Sequence, residues 1–322
     1  MLRFRGLRKF GHLIVSSDRT AAIRPKDILL FVTIRNEMMR LPYFLSYYRD
    51  LGVSHFLVVD NGSTDDVVDF LKHQPDVSFW SAAGSYRQSR FGMDWLTCLL
   101  FRYGAGHWCL TVDADEILIY PYHTTRPLPA LVEWLEDHDR SSFGALMLDM
   151  YPKQRLGREK YQPGTDPFRQ LCWFDSGNYS IQRKEDLHNL WIQGGVRARR
   201  FFASDPRRAP TLGKIPLVKW SRRYVYVSST HSLLPRRLNK VYDDTGAESL
   251  SGILLHSKFL DSIVARSAEE KQRDEHFANS ALYAPYYDAL NEDPTLWCDQ
   301  STRFTGWRQL EAMGLMSRGG WV

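Results

Sequence analysis

The sequence predicts an α/β fold: a mostly parallel central sheet flanked by helices. Three observations carry this. From residue 27, apolar runs of strand length alternate with stretches of helical spacing. The first run, DILLFVTI, is continuously apolar, as a strand covered on both faces must be. Three strands then end in polar clusters: RNE at 35–37, DNGSTDD at 60–66 and DADE at 113–116. In open parallel sheets, ligands gather beyond the carboxyl ends of the strands.

The elements follow in order. DILLFVTI is the first strand, and MMRLPYFLSYYRDLG is a helix stopped by glycine. HFLVVD is the second strand. NGSTDDVVDFLKHQ turns and starts a helix, with Ser63 and Asp66 spaced as a capping box. DVSFWSA is the third strand, and RQSRFGMDWLTCLLFRYG an amphipathic helix closed by glycine. HWCLTVDADEILIY is the fourth strand, LPALVEWLEDHD a helix and FGALMLDMY the fifth strand. Beyond residue 150 the period loosens into a long loop. VYVSSTHSLL and SGILLHSKFL are short strands that each carry a histidine, and 258–290 is a helical tail. The chain divides into a basic segment at 1–26, a main domain at 27–275 with halves 27–150 and 151–275, and an extension at 276–322.

The run LTVDADEILIY poses the chemical question. It sets Asp113, Asp115 and Glu116 into an apolar strand, and one unpaired buried carboxylate costs several kcal/mol. Asp113 and Asp115 are two apart, so in extended chain both lean to one side. A divalent cation with hard oxygen ligands, Mg²⁺ or Mn²⁺, is the natural partner, and it leaves sites open for water and phosphate. Glu116 points the other way. Asn36, Asp60 and their neighbours also suit plain turn chemistry.

The ordered set TIRNE, VVDNGSTDD and LTVDADEIL resembles the nucleotide-binding half of family 2-type glycosyltransferases of the GT-A fold. GGVRARRFF, KIPLVKW, STHSL and LLHSKF are similar to a bacterial branch of that family, so the resemblance covers roughly residues 27–275. It implies transfer of a sugar from a nucleotide-diphosphate-sugar donor, a UDP-sugar, with Mn²⁺ or Mg²⁺. The acceptor is a hydroxyl of a glycan, polysaccharide or lipid. Asp113, Asp115 and His256 are the implied metal ligands, with His231 competing for the third place. Asn36, Glu37, Asp60, Asn61, Arg90, Asp94, Asp113 and Lys258 are the implied nucleotide-sugar contacts. An inverting mechanism needs a base for the acceptor hydroxyl, and Asp149, Asp175, Glu185 and Asp186 are the candidates. Arg197 and Arg199 suit an anionic acceptor.

Other classes compete. A nucleotidyltransferase also brings acidic strand ends to a nucleotide, but TIRNEMMRLP lacks the expected glycine-rich basic loop. A non-catalytic sugar-nucleotide-binding module would not need the acidic pair. A dinucleotide-binding dehydrogenase needs a GxGxxG after its first strand, which is absent. The net charge of +5 sits in arginine clusters without a nucleic-acid-binding motif beside them, so nucleic acid is not the expected partner. Four dispersed cysteines and no long apolar run suggest a reduced, cytoplasmic protein. Its basic first residues are read as a disordered tail or a peripheral contact with the inner face of a membrane.

Overall fold

The computed structural model describes residues 2–242, 249–263 and 284–321. Along the chain run β1 (Leu13–Ser17), β2 (Ile28–Ile34), β3 (His55–Asp60), β4 (Val77–Ala82), β5 (Trp108–Thr111), β6 (Glu116–Ile119) and β7 (Ser142–Asp149). They are followed by β8 (Trp173–Phe174), β9 (Ser180–Arg183), β10 (Leu190–Gln193), β11 (Gly213–Lys219), β12 (Val225–Tyr226), β13 (Leu233–Leu234), β14 (Gly252–His256) and β15 (Thr302–Arg303). Nine of these form one sheet in the order β1-β4-β3-β2-β5-β11-β7-β14-β6. Strands β2 to β5 are mutually parallel where they pair, and β14 is parallel to β7. Strand β11 is antiparallel to both β5 and β7, so β7 and β14 share the direction of the first group. Antiparallel β1 and β6 close the two edges.

The unbroken apolar run of β2 has a clear cause. Ile28, Leu30, Val32 and Ile34 enter one core, with Leu41, Phe44, Leu45 and Tyr48 of helix α2 (Leu41–Leu51). Leu29 and Phe31 enter the other, with Trp95, Leu96 and Leu99 of helix α4 (Met93–Leu99). Burying each such side chain contributes about 1.5–3 kcal/mol. Helix α2 ends at left-handed Gly52, as the sequence predicts, but begins at Leu41 rather than Met38, with Pro42 in its first turn.

Several expectations are corrected. The predicted single strand at 107–120 is two, β5 and β6, lying four places apart in the sheet. Four strand spacings span roughly 19 Å in a flat sheet, while the five steps from Thr111 to Glu116 reach at most about 18 Å. The sheet therefore curls at this edge, and residues 112–115 cross over the ends of β11, β7 and β14. The Ser63 capping box does not form: Ser63 donates to Asp60, and helix α3 (Val67–Lys72) starts at Asp66 without a side-chain cap. The helix predicted at 87–104 is broken by left-handed Arg90, Phe91 and Gly92, because Gly92 passes so close to Thr33 that a Cβ would lie 2.7 Å from its Oγ1. Every residue of α4 is buried, so it is not amphipathic.

The amino terminus is not a loose tail: helix α1 (Leu2–Arg8) packs on α4, and β1 joins the sheet. Carboxyl-terminal Trp307, Leu310, Met316 and Trp321 belong to the same core as β2. Of the predicted tail at 258–290, residues 264–283 lie outside the described residues, and Ala284–Asn291 is helical. No helix among the described residues is long and apolar enough to cross a membrane.

Helix α5 (Leu128–Asp137) covers the α2 side of the sheet, and helix α6 (Gly195–Phe201) packs against β7. Gly194 opens α6 at φ 152°, where a Cβ would sit 2.1 Å from the carbonyl oxygen of Asn178. Gly194→Ala is expected to lower unfolding stability by about 1–3 kcal/mol, read from the urea midpoint.

Candidate functional site

Residues 112–115 bring the acidic cluster to the shared edge of the sheet. Glu116 opens β6 with a side chain only 1% exposed, and Asp113 lies in the crossing with a side chain 56% exposed. Their positive partner is Lys214, itself 4% exposed, whose ammonium donates to Asp113 Oδ2 at 2.9 Å and to Glu116. Burial works against the charged ammonium, but the two carboxylates outweigh it and raise its pKa. Glu116 also accepts the Asp113 backbone N–H at 3.1 Å, closing the turn. Lys214 stands just before Pro216, which has no N–H to donate to a neighbouring strand. The β11–β7 register shifts between Lys214 and Leu217.

The second carboxylate, Asp115, faces His256 at the end of β14. His256 Nε2 lies 3.1 Å from Asp115 Oδ2, and its Nδ1 lies 2.6 Å from Asp149 Oδ1 at the end of β7. Arg197 of α6 donates to the other Asp149 oxygen at 2.6 Å. Burial opposes ionisation of Asp149, yet Arg197 and His256 hold its carboxyl down at about 2. Asp115 is also held well below the usual range: burial is overcome by His256, with Arg40 and Lys258 adding to the field. Buried Arg40 donates to Glu37 at 3.0 Å and to the Ser257 carbonyl at 3.3 Å, and its Nε has no hydrogen-bond partner among the described residues.

His256 is therefore an imidazole with one nitrogen fixed by a carboxylate and the other turned to a second carboxylate. A metal-binding histidine typically carries such a carboxylate behind it. Among the described residues, no three or more His, Cys, Asp and Glu side chains converge as a metal site. Asp113, expected as a ligand beside Asp115, is instead engaged by Lys214, which leaves Asp115 and His256, with Asp149 behind them, as the pair that would serve as donors. That fits Mg²⁺ or Mn²⁺, which commonly take few protein ligands and complete their shell with water and substrate phosphate. His231 stands on the Lys214 side of the same edge, its Nδ1 2.7 Å from the Gly213 carbonyl oxygen.

The first-half residues serve the loop architecture. Asp60 accepts from the Ser63 N–H at 3.2 Å and from its hydroxyl, and Asn36 Oδ1 accepts the Thr64 N–H at 2.7 Å. The Asn61 amide donates to the carbonyls of Ala82 and Gly84, tying the ends of β3 and β4 together. Asn36, Glu37, Asp60 and Asn61 thus share one edge with Asp113 and Asp115. Arg90 and Asp94, expected near the donor, are bonded to each other at 2.7 Å. Asp94 is fully buried between Arg5 and Arg90, while Arg90 also donates to the carbonyls of Tyr226 and Val227.

The other expected residues scatter. Asp175 accepts from Tyr151 and from Arg199 at 2.8 Å. Arg197 and Arg199, expected to face an anionic acceptor, are spent on Asp149 and Asp175. Glu185 and Asp186 lie exposed in the β9–β10 hairpin turn, not ahead of a helix. Lys258 is half-buried, and burial lowers its pKa against the pull of Asp115. Sequence reasoning missed Lys214 and Arg40. The signal for Lys214 was the demand of the cluster for a cation, but its partners stand about a hundred residues away in the chain.

No family model matches the sequence, and no curated protein matches it. Among solved structures, HddC from Yersinia pseudotuberculosis shares 12% identity over 70% of this chain and 82% of its own, with a TM-score of 0.29. Glucosyl-3-phosphoglycerate synthase from Mycobacterium tuberculosis, in complex with Mn²⁺, UDP and phosphoglyceric acid, shares 19% over 41% of this chain and 45% of its own, at 0.23. A 4-diphosphocytidyl-2C-methyl-D-erythritol synthase shares 15% over 44% of this chain and 68% of its own, at 0.26. At TM-scores this low, the reading of the site rests on its own geometry.

Two outcomes follow from the buried charges. Lys214→Met leaves Glu116 uncompensated and is expected to cost about 3–5 kcal/mol of unfolding free energy; adding Glu116→Gln should recover part of it in the same denaturant titration. His231 is pushed down from 6.5 to about 4, by burial first and then by Lys214. The unfolded chain then binds a proton between those values that the native state refuses. Stability is expected to fall as pH drops from about 6.5 to about 4, and His231→Gln should flatten that slope in thermal scans.

Proposed function

We propose that this chain is a metal-dependent glycosyltransferase that moves a sugar from a nucleotide-diphosphate-sugar donor, a UDP-sugar, to a hydroxyl of a glycan, polysaccharide or lipid. The observation that carries the reading is His256, held between Asp149 and Asp115 at the strand ends. Asp115 and His256 would hold Mn²⁺ or Mg²⁺, which supplies positive charge to the donor diphosphate. Arg40, with one N–H unfilled, and Lys258 stand beside Asp115 and add fixed positive charge where the leaving diphosphate gains negative charge. Such preorganised charge stabilises the departing group without having to move.

Asn36, Glu37, Asp60, Asn61 and Asp113 are assigned to the nucleotide side of the cleft. Asp60 keeps acceptor capacity beyond its bonds to Ser63, because a carboxylate has about four lone-pair sites. The acceptor base is assigned away from Asp149 and Asp175, whose carboxylates are already engaged by Arg197 and Arg199. Glu185 and Asp186 are the candidates whose carboxylates stay exposed.

A thermal-shift panel of nucleoside diphosphates with Mn²⁺, with and without chelator, tests this reading. The expected result is a rise with UDP that needs the metal. At roughly a hundredfold excess over Kd the gain is about 2.7 kcal/mol. Asp115→Asn should keep the melting transition and lose that gain, together with UDP release from a UDP-sugar. Absence of a shift for any nucleotide, or unchanged turnover in Asp115→Asn, overturns the assignment. Release of pyrophosphate from a nucleoside triphosphate would favour a nucleotidyltransferase instead.

A further inference from the structure

The edge of the sheet formed by β1 carries a second surface that donor chemistry does not use. Residues 1–17 contain Arg3, Arg5, Arg8 and Lys9 and no acidic residue. Helix α1 is docked firmly: a Cβ on Gly6 would lie 2.8 Å from Thr97 of α4, and Arg5 donates to Asp94 at 2.8 Å and to the Gln88 carbonyl at 2.7 Å. What this rigid base presents outward is apolar. Phe4 is 61% exposed, Phe10 39% and Val15, on the Leu13 side of β1, 56%.

The rings stand among cations. The Arg3 guanidinium lies 5.4 Å from the Phe4 centroid, and that of Arg102 lies 5.3 Å from Phe10. Arg3 also donates to the Arg222 carbonyl, which brings exposed Arg222 and Arg223 to the same face. Exposed aromatics, each with an arginine beside it, match the two features of an anionic bilayer surface. Headgroups attract the cations, and the acyl boundary accepts the rings.

We infer that this face, built from α1, the Phe10 turn and β1, docks the protein on an anionic phospholipid membrane. A second copy pairing with the open edge of β1 fits less well. The β1–β4 register shifts between Val15 and Ser17, and such an irregularity blunts an edge against pairing. The inference stands apart from the sugar-transfer reading, since none of these residues belongs to the strand-end site.

Flotation of the full chain with vesicles tests it. Vesicles of phosphatidylcholine mixed with phosphatidylglycerol are expected to carry the protein at low salt and release it at high salt. Phosphatidylcholine alone should not carry it. Arg8→Gln with Lys9→Gln should weaken binding roughly thirtyfold, about fivefold per charge. Phe4→Ala with Phe10→Ala should weaken it at least tenfold. Both variants change exposed or half-exposed side chains, and an unchanged melting temperature verifies the fold. The UDP shift, measured without vesicles, reports separately on the strand-end site. Failure to float with anionic vesicles, equal binding to neutral ones, or variants that bind like the parent chain overturns the inference. So does a dimer by light scattering that Val15→Lys dissolves while vesicles are ignored.

Discussion

The Lys214 ammonium is the constraint on which the strand-end architecture depends. Glu116 is almost fully buried, and a carboxylate in that position without a counter-charge would cost several kcal/mol. Lys214 answers it from β11, and the same ammonium holds Asp113 on the adjoining turn. One cation therefore fixes where β6 begins and where the crossing stretch lies. Asp115, between the two, is delivered to His256 as a consequence. The buried pair is better understood as a device that sets position than as a net source of stability, since such pairs barely repay their desolvation.

Around Asp115 the charges form a chain of support. Arg197 holds Asp149, Asp149 holds His256, and His256 faces Asp115. Each link fixes the next, from α6 through β7 to β14. The arrangement gives an imidazole a defined ring orientation, which ligand binding needs more than affinity alone. Arg40 approaches from the start of α2 and binds the Ser257 carbonyl, so the first and second halves of the chain meet at this point.

Much of this was legible in the sequence. The continuous apolarity of β2 reported two-sided burial, and Gly52 marked the end of α2. The cluster at 113–116 announced that a cation was required. Its identity was not legible, because Lys214 is brought there by β11 pairing between β5 and β7, and local periodicity carries no information about such pairing. The same limit hid the break in the 107–120 run: its apolar flanks fit one strand or two equally well. Arg197 read as a ligand-facing arginine because an arginine near an active edge looks alike whether it meets an acceptor or a buried aspartate. The 87–104 stretch misled for a different reason. Its periodicity was helical, but a steric contact between Gly92 and Thr33 interrupts the backbone.

The path of residues 112–115 over the ends of β11, β7 and β14 has a consequence for how the molecule comes into being. The acids are synthesised early, while Lys214 and His256 leave the ribosome about a hundred or more residues later. Until then the crossing has nothing to cross. Closure of the sheet and assembly of the charged edge both depend on contacts distant in the chain, and such contacts form slowly. A nascent chain halted before β11 would hold its carboxylates in water and leave β5 without its neighbour on one side.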